Sequence, residues 1–137
     1  MTVHITDEDF ERLLEFRIGL RRFLHWSEEQ AVAVGLSPMQ HQLLLAIRGN
    51  SLRIGPTIGE IAEALLIRHH SAVGLIDRAE AAGFVRRRTD RDDHRVVRLG
   101  LTALGSRRLR QLSGRHLEEL ARLGKRLHAI WDGLPEP

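Results

Sequence analysis

Residues 57–102 read TIGEIAEALLIRHHSAVGLIDRAEAAGFVRRRTDRDDHRVVRLGLT, and the order of signals in this stretch decides the fold. Gly55-Pro56 breaks the chain just before it. Thr57 then stands where a hydroxyl can cap the unpaired N–H groups of a short helix, Ile58 to Leu66. After a turn at Ile67-Arg68, a second helix is expected from about His69 to Ala82. Its Ala72, Leu75, Ile76 and Ala79 fall at i, i+3, i+4 and i+7, so one face belongs to a core. Gly83 supplies the stop. Two short strands follow, Phe84–Thr89 and Arg95–Leu101, and in the second Val96 and Arg98 face one way, Val97 and Leu99 the other. Between them Asp90-Arg91-Asp92-Asp93-His94 forms a charged hairpin tip. Helix, turn, helix, strand, charged hairpin, strand is the order of a winged helix-turn-helix.

Near the start of the chain, Thr6 with Asp9 makes a capping-box-like start to a helix. Phe10, Leu13, Leu14, Ile18, Leu20 and Leu24 then recur at helical spacing, giving a long helix to about Ala33 that Gly35 ends. Ser37-Pro38 opens another helix, with Ser as cap and Pro at the first helical position. Leu43, Leu44 and Ile47 form its buried stripe, and Gly49-Asn50-Ser51 closes it. On the other side, Thr102 caps a last long helix carrying Leu104, Leu109, Leu112, Leu117, Leu120, Leu123, Leu127 and Ile130. Pro135 and Pro137 are expected to end the chain in a disordered tail. The fold class is mainly α (α+β): a winged helix-turn-helix, residues 37–102, between a long N-terminal helix, residues 1–36, and a long C-terminal one, residues 103–137. All three are expected in one compact domain. The two long helices are too extended and too apolar to be satisfied by so small a winged unit.

The composition is ordinary for a soluble globular chain, with 42% hydrophobic and 28% charged residues in 137. No run approaches the ~18 apolar residues of a membrane span, and Asp7, Glu8 and Asp9 make the N-terminus unlike a signal peptide. A cytoplasmic location without membrane contact is expected. The chain has no cysteine, which excludes disulfides, thiolate metal sites, thiol nucleophiles and thiol redox sensing. The net charge of +3 is unevenly spread. Residues 1–52 carry 5 basic and 7 acidic side chains, residues 53–110 carry 12 and 7, and residues 111–137 carry 4 of each. The positive excess thus sits on the winged segment, as a nucleic-acid surface requires. Lys125 is the sole lysine, but an arginine bias also follows from a GC-rich genome and decides nothing.

The helix after Ile67 is the candidate reading element, since a major groove about 12 Å wide admits one helix with its side chains. Opposite its core face it offers His69, His70, Ser71, Val73, Gly74 and Asp77, small and polar enough for close approach to base edges. Arg68 and Arg78 lie at its sides, where phosphates would be. A merely solvated face would carry more Glu and Lys. In the hairpin, Arg86, Arg87, Arg88, Arg91, Arg95 and Arg98 crowd together, and arginine at a projecting tip suits the negative minor groove. The neighbouring Asp90, Asp92 and Asp93 look wrong for DNA, yet an Asp can hold an Arg in one rotamer through a bidentate pair. Of the eight histidines none are paired at i, i+4, and His69 and His70 point to different faces, so neither a metal nor another cofactor is expected. Protonation of His69, His70 and His94 would raise DNA affinity at lower pH. No Gly-rich phosphate loop, nucleophile elbow or acid–base pair is present, so the chain does not read as an enzyme. A winged module used for protein contact or for sequence-neutral DNA binding remains the rival.

These residues resemble the MarR family of bacterial regulators. The resemblance runs through Thr57-Ile58-Gly59-Glu60-Ile61-Ala62, Leu75 to Val85, Arg86-Arg87, Arg91-Asp92-Asp93-His94-Arg95 and Leu101-Thr102-Ala103-Leu104-Gly105. The family's Asp and Arg two residues apart in the wing are met by Asp93 and Arg95. The resemblance implies a homodimer whose terminal helices intertwine, so that both long helices are dimerisation helices, with two winged units on a pseudo-palindromic duplex. It implies a repressor, with DNA contacts from Arg68, His69, His70, Ser71, Val73, Gly74, Arg78, Arg91, Asp93, His94 and Arg95. It also implies a small aromatic or phenolic effector that releases the DNA, for which Arg17, Phe23, His25, Trp26 and His41 are candidate lining residues. The sequence departs from the family at Val73 and Gly74, where a polar residue or Arg is common, and at Arg68-His69-His70, which replaces a Ser/Arg-rich opening.

Overall fold

The computed structural model describes residues 4–51, 54–132 and 134; Pro135 and Pro137, assigned above to a tail, lie outside them. Five helices and a two-stranded sheet are described: α1 (Asp7–Ala33), α2 (Pro38–Arg48), α3 (Ile58–Leu65), α4 (His69–Ala81), β1 (Val85–Thr89), β2 (Val97–Leu101) and α5 (Ala103–Trp131). Each cap expected from a hydroxyl is made. Thr6 and Asp9 form a reciprocal capping box on α1, and Ser37 and Gln40 form another on α2, whose first turn begins with Pro38. The Thr57 and Thr102 hydroxyls accept from the backbone N–H of Glu60 and Gly105. Gly35 and Gly83 take the left-handed φ of +82° and +84° that stops α1 and α4.

Four boundaries differ by a residue or two: α4 stops at Ala81, with Ala82 as its cap, and three others shift for a local reason. Phe84 precedes β1, because its N–H donates to the Ala79 carbonyl and its own carbonyl accepts from Thr102 N–H. Arg95 and Val96 precede β2, because their N–H groups turn back onto Asp93. Leu66 closes α3 with φ of 54°, a left-handed position that a branched side chain rarely takes.

β1 and β2 pair antiparallel, with Val85 opposite Leu101, Arg87 opposite Leu99 and Thr89 opposite Val97. The segment before α3 joins this sheet: Leu99 N–H donates to the Pro56 carbonyl, and Thr57 bridges to Arg98. Gly55 makes that approach possible, since a Cβ there would lie 2.1 Å from the Leu99 carbonyl oxygen. One buried cluster collects Ala31, Leu36, Leu43, Leu44, Ile61, Leu75, Ile76, Phe84, Leu99, Leu109 and Leu112, so the winged unit and the long helices share a core. α1 runs antiparallel along α5, from Phe16 against Trp131 through Gly19 against Leu123 and Leu127 to Gln30 against Arg115. Apolar side chains remain on the outside of these helices: Phe10, Leu13 and Leu14 on α1 and Leu117 on α5 are each about 60% exposed or more.

Candidate nucleic-acid interface

Burial of Ala72, Leu75, Ile76 and Ala79 turns one face of α4 into the core. His69, His70, Ser71, Asp77 and Arg78 are therefore exposed, and Val73 and Gly74 are half-buried between them. This is the row read from the sequence, and it carries no lysine and no glutamate. Gly74 also has a local role. The Arg78 guanidinium folds over it, and a Cβ there would meet Arg78 Nη1 at 3.2 Å. Arg68 caps α4 with its backbone alone, leaving its side chain exposed beside the helix entrance.

The hairpin tip is organised by its acidic residues. Asp90 Oδ2 accepts from the backbone N–H of Asp92 and Asp93, and Asp90 Oδ1 accepts from Arg98 Nε at 3.0 Å. Hydrogen bonding from Arg98, then from the Asp93 N–H, holds the Asp90 carboxyl below the usual carboxylate range. Asp93 accepts a fork from Arg95, Nε to Oδ1 at 3.0 Å and Nη2 to Oδ2 at 3.1 Å, and also takes the Arg95 N–H. The Arg95 guanidinium, then its N–H, lower the Asp93 carboxyl likewise. The bidentate Asp–Arg pair expected from the sequence is thus made, and it holds an arginine whose side chain is 91% exposed. Arg91 and His94 are exposed at the same tip.

Three other hairpin arginines, Arg87, Arg88 and Arg98, are not free. Arg87 turns toward α4, with Nη2 on Asp77 at 2.6 Å and Nη1 on Glu80 at 2.8 Å. Arg98 is shared among Asp90, Glu60 and the Gly55 carbonyl. Arg88 donates to the Ile54 carbonyl. Composition counts all six arginines alike; the partners differ because they come from α3, α4 and the segment before α3, which only the fold brings near.

The five candidate effector residues divide. Phe23, Trp26 and His41 meet at the junction of α1, α2 and α5, where His116, not singled out in the sequence, completes the cluster. The His116 ring lies 4.8 Å from both Trp26 and His41 by ring centres, with Nε2 2.7 Å from Ser27 Oγ and Nδ1 2.8 Å from the Leu112 carbonyl. The carbonyl requires a proton on Nδ1, so in the neutral ring Nε2 accepts from the serine. His41 is 7% exposed, and burial, followed by the proximity of His116, pushes its pKa down to about 4. Arg17 and His25 instead face outward along an open groove with Leu20, Arg21, Leu24 and Glu28, and His25 pairs with Glu29 at 2.7 Å. A separate polar cleft of about 440 Å³ lies between the end of α2 and the outer side of the hairpin, with Arg48, Arg86 and Arg88 on its walls. Among the described residues no group of three potential metal ligands converges, and no helix is long and apolar enough to cross a membrane.

The sequence pattern of the MarR family matches residues 34–96. Members of the same family are among the structural likenesses. A MarR family transcription regulator superposes with a TM-score of 0.74 at 20% identity, covering 87% of this chain and 77% of that one. AbsC, a MarR family transcriptional regulator from Streptomyces coelicolor, gives 0.71 at 21% identity, covering 89% and 82%. MepR from S. aureus, solved in complex with DNA, gives 0.69 at 19% identity, covering 89% and 85%. No curated protein sequence matches the chain. The resemblance read from residues 57–105 is met, and the fold is the winged helix with long terminal helices of MarR regulators.

Proposed function

We propose, on the premise of this MarR fold, that the chain is a sequence-specific DNA-binding repressor acting as a homodimer on a pseudo-palindromic duplex. The observation that carries the reading is the row on α4 of exposed His69, His70 and Ser71 with half-buried Val73 and Gly74, set beside a tip whose Arg95 is held outward by Asp93. In this reading α4 enters the major groove and contacts base edges, Arg68 and Arg78 meet phosphates, and Arg91, His94 and Arg95 enter the minor groove. MepR of S. aureus and a MarR variant of E. coli, the latter with operator DNA, have been solved bound to DNA, which supports the same use here. The exposed apolar rows of α1 and α5 support a second copy as their cover. Two winged units then face half-sites one helical turn apart, about 34–36 Å. The protein works by binding and not by catalysis, in the cytoplasm where its DNA is. A small aromatic or phenolic anion releases it, entering beside Phe23 and Trp26.

Binding to a promoter fragment, measured against random competitor DNA across a salt series, tests this. A regulator shows a steep salt slope and a specificity ratio of at least ~10³. Equal affinity for random DNA would sink the repressor in favour of a sequence-neutral binder, and no DNA binding at all would favour a protein-contact module.

A further inference from the structure

We propose that Arg87 is a brace and not a DNA contact: with Asp77 and Glu80 it holds the wing at a set angle to the reading helix. The proposal rests on the DNA-binding reading above, but its geometry is independent of it. α4 ends at Ala81 and β1 begins at Val85, so the covalent link between reading helix and wing is a three-residue turn through the left-handed Gly83. Arg87 spans that turn with three bonds. Its Nη2 donates to Asp77 Oδ1 at 2.6 Å, its Nη1 to Glu80 Oε1 at 2.8 Å and its backbone N–H to Glu80 Oε2 at 3.2 Å. Asp77 and Glu80 are three residues apart, hence neighbours on one face of α4. The planar fork of a guanidinium serves both at once, which a lysine ammonium does not.

The local charge argues against a phosphate contact. One cation between two carboxylates sums to −1, so Arg87 offers a phosphate no positive field. Its side chain is 25% exposed, against 91% for Arg95. Asp77, by contrast, is 60% exposed on the row that α4 turns outward. Without Arg87 its carboxylate would stand uncompensated before a phosphate backbone. The brace therefore sets the wing angle and masks an acid on the reading face.

The test uses the charge-conserving Arg87→Lys in the full chain, with Arg87→Ala and the reciprocal Asp77→Asn/Glu80→Gln beside it. Amide hydrogen exchange without DNA is followed over residues 85–101. Affinity, salt slope and hydroxyl-radical footprint are measured on a duplex that the wild-type protein selects from a random pool. The brace predicts faster exchange confined to the hairpin in all three variants. Arg87→Lys should also weaken binding roughly tenfold with an unchanged salt slope. Protection should be lost where the wings lie and kept where α4 lies, a pattern that general destabilisation does not produce. Unchanged hairpin exchange in Arg87→Lys and in Asp77→Asn/Glu80→Gln overturns the brace. So does a slope reduced by about 0.9 in Arg87→Ala but kept in Arg87→Lys, the mark of a lost phosphate contact. If the wild-type protein selects no duplex, the DNA reading fails while the exchange experiment still decides the brace.

Discussion

At the scale of single residues, the wing depends on carboxylates in the region proposed to meet a polyanion. Asp93 and Arg95 stand two positions apart in one loop, so their pairing is legible in the sequence. Asp90 and Arg98 stand eight apart, and Arg87 reaches back seven and ten residues into α4, so those pairs need the folded hairpin before they mean anything. Asp93→Asn is expected to free the Arg95 rotamer and lower affinity for a selected duplex several-fold, while leaving the thermal midpoint within about 2 °C, as for an exposed ion pair. Circular dichroism and a binding titration check both. His41 sets a different pH dependence. Its folded pKa, about 4, lies below the unfolded value near 6.5, so the unfolded chain takes up the proton first. Stability is then fully present above pH 6.5 and falls as the pH drops toward 4, by up to about 3 kcal/mol at ~1.4 kcal/mol per unit. Denaturant midpoints at pH 7.5 and 4.5 should show this loss, and His41→Leu should flatten it. His116, the partner of His41, lies 75 positions away on a helix whose local pattern says nothing of the contact.

At the scale of elements, local chemistry was the more legible part. Hydroxyl caps and glycine stops act within three or four residues, and they appear where the sequence places them. The strand starts shifted because hydrogen bonds from Phe84 and Val96 belong to the turns next door. The Leu-Thr-x-x-Gly run shows how much one junction can hold. Thr102 Oγ1 donates to the Gly83 carbonyl at 2.6 Å and accepts from Gly105 N–H at 3.0 Å, while Thr102 N–H reaches the Phe84 carbonyl. Gly105 is needed for contact, since a Cβ there would fall 2.1 Å from the Phe84 carbonyl oxygen. Gly105→Ala should therefore destabilise the fold by about 2–4 kcal/mol despite the better helix propensity of alanine, read as a lower denaturant midpoint. An unchanged midpoint would show that α5 can back away from the wing. Thr102→Ala, which removes the cap but adds no bulk, should cost about 1–2 kcal/mol.

At the scale of the whole molecule, the outer faces of α1 and α5 remain to be covered. Leu13, Phe16, Ile130, Trp131 and Leu134 border an apolar hollow of about 290 Å³ at the paired ends of these helices. Leu13→Glu with Leu117→Glu should shift the proposed dimer to monomer in sedimentation at micromolar concentration. Affinity for a two-half-site duplex should fall with it, because one winged unit alone makes half the contacts. A variant pair that sediments like wild type would place the second copy elsewhere. The helical period showed these apolar rows in the sequence, but not which of them stay outside: Leu109, Leu112 and Leu123 are buried in α5, whereas Leu117 and Leu120 are not. β2 ends at Leu101 and α5 starts at Ala103, with Thr102 pinned to Gly83 and Phe84. The wing is thus welded without a joint to a rod of 29 residues, about 43 Å long. Tilting that rod by about 5° about its root swings its far end by about 4 Å, and the lever runs equally in reverse. A push near Trp131 reaches the hairpin tip as a change of angle, not as a loosening.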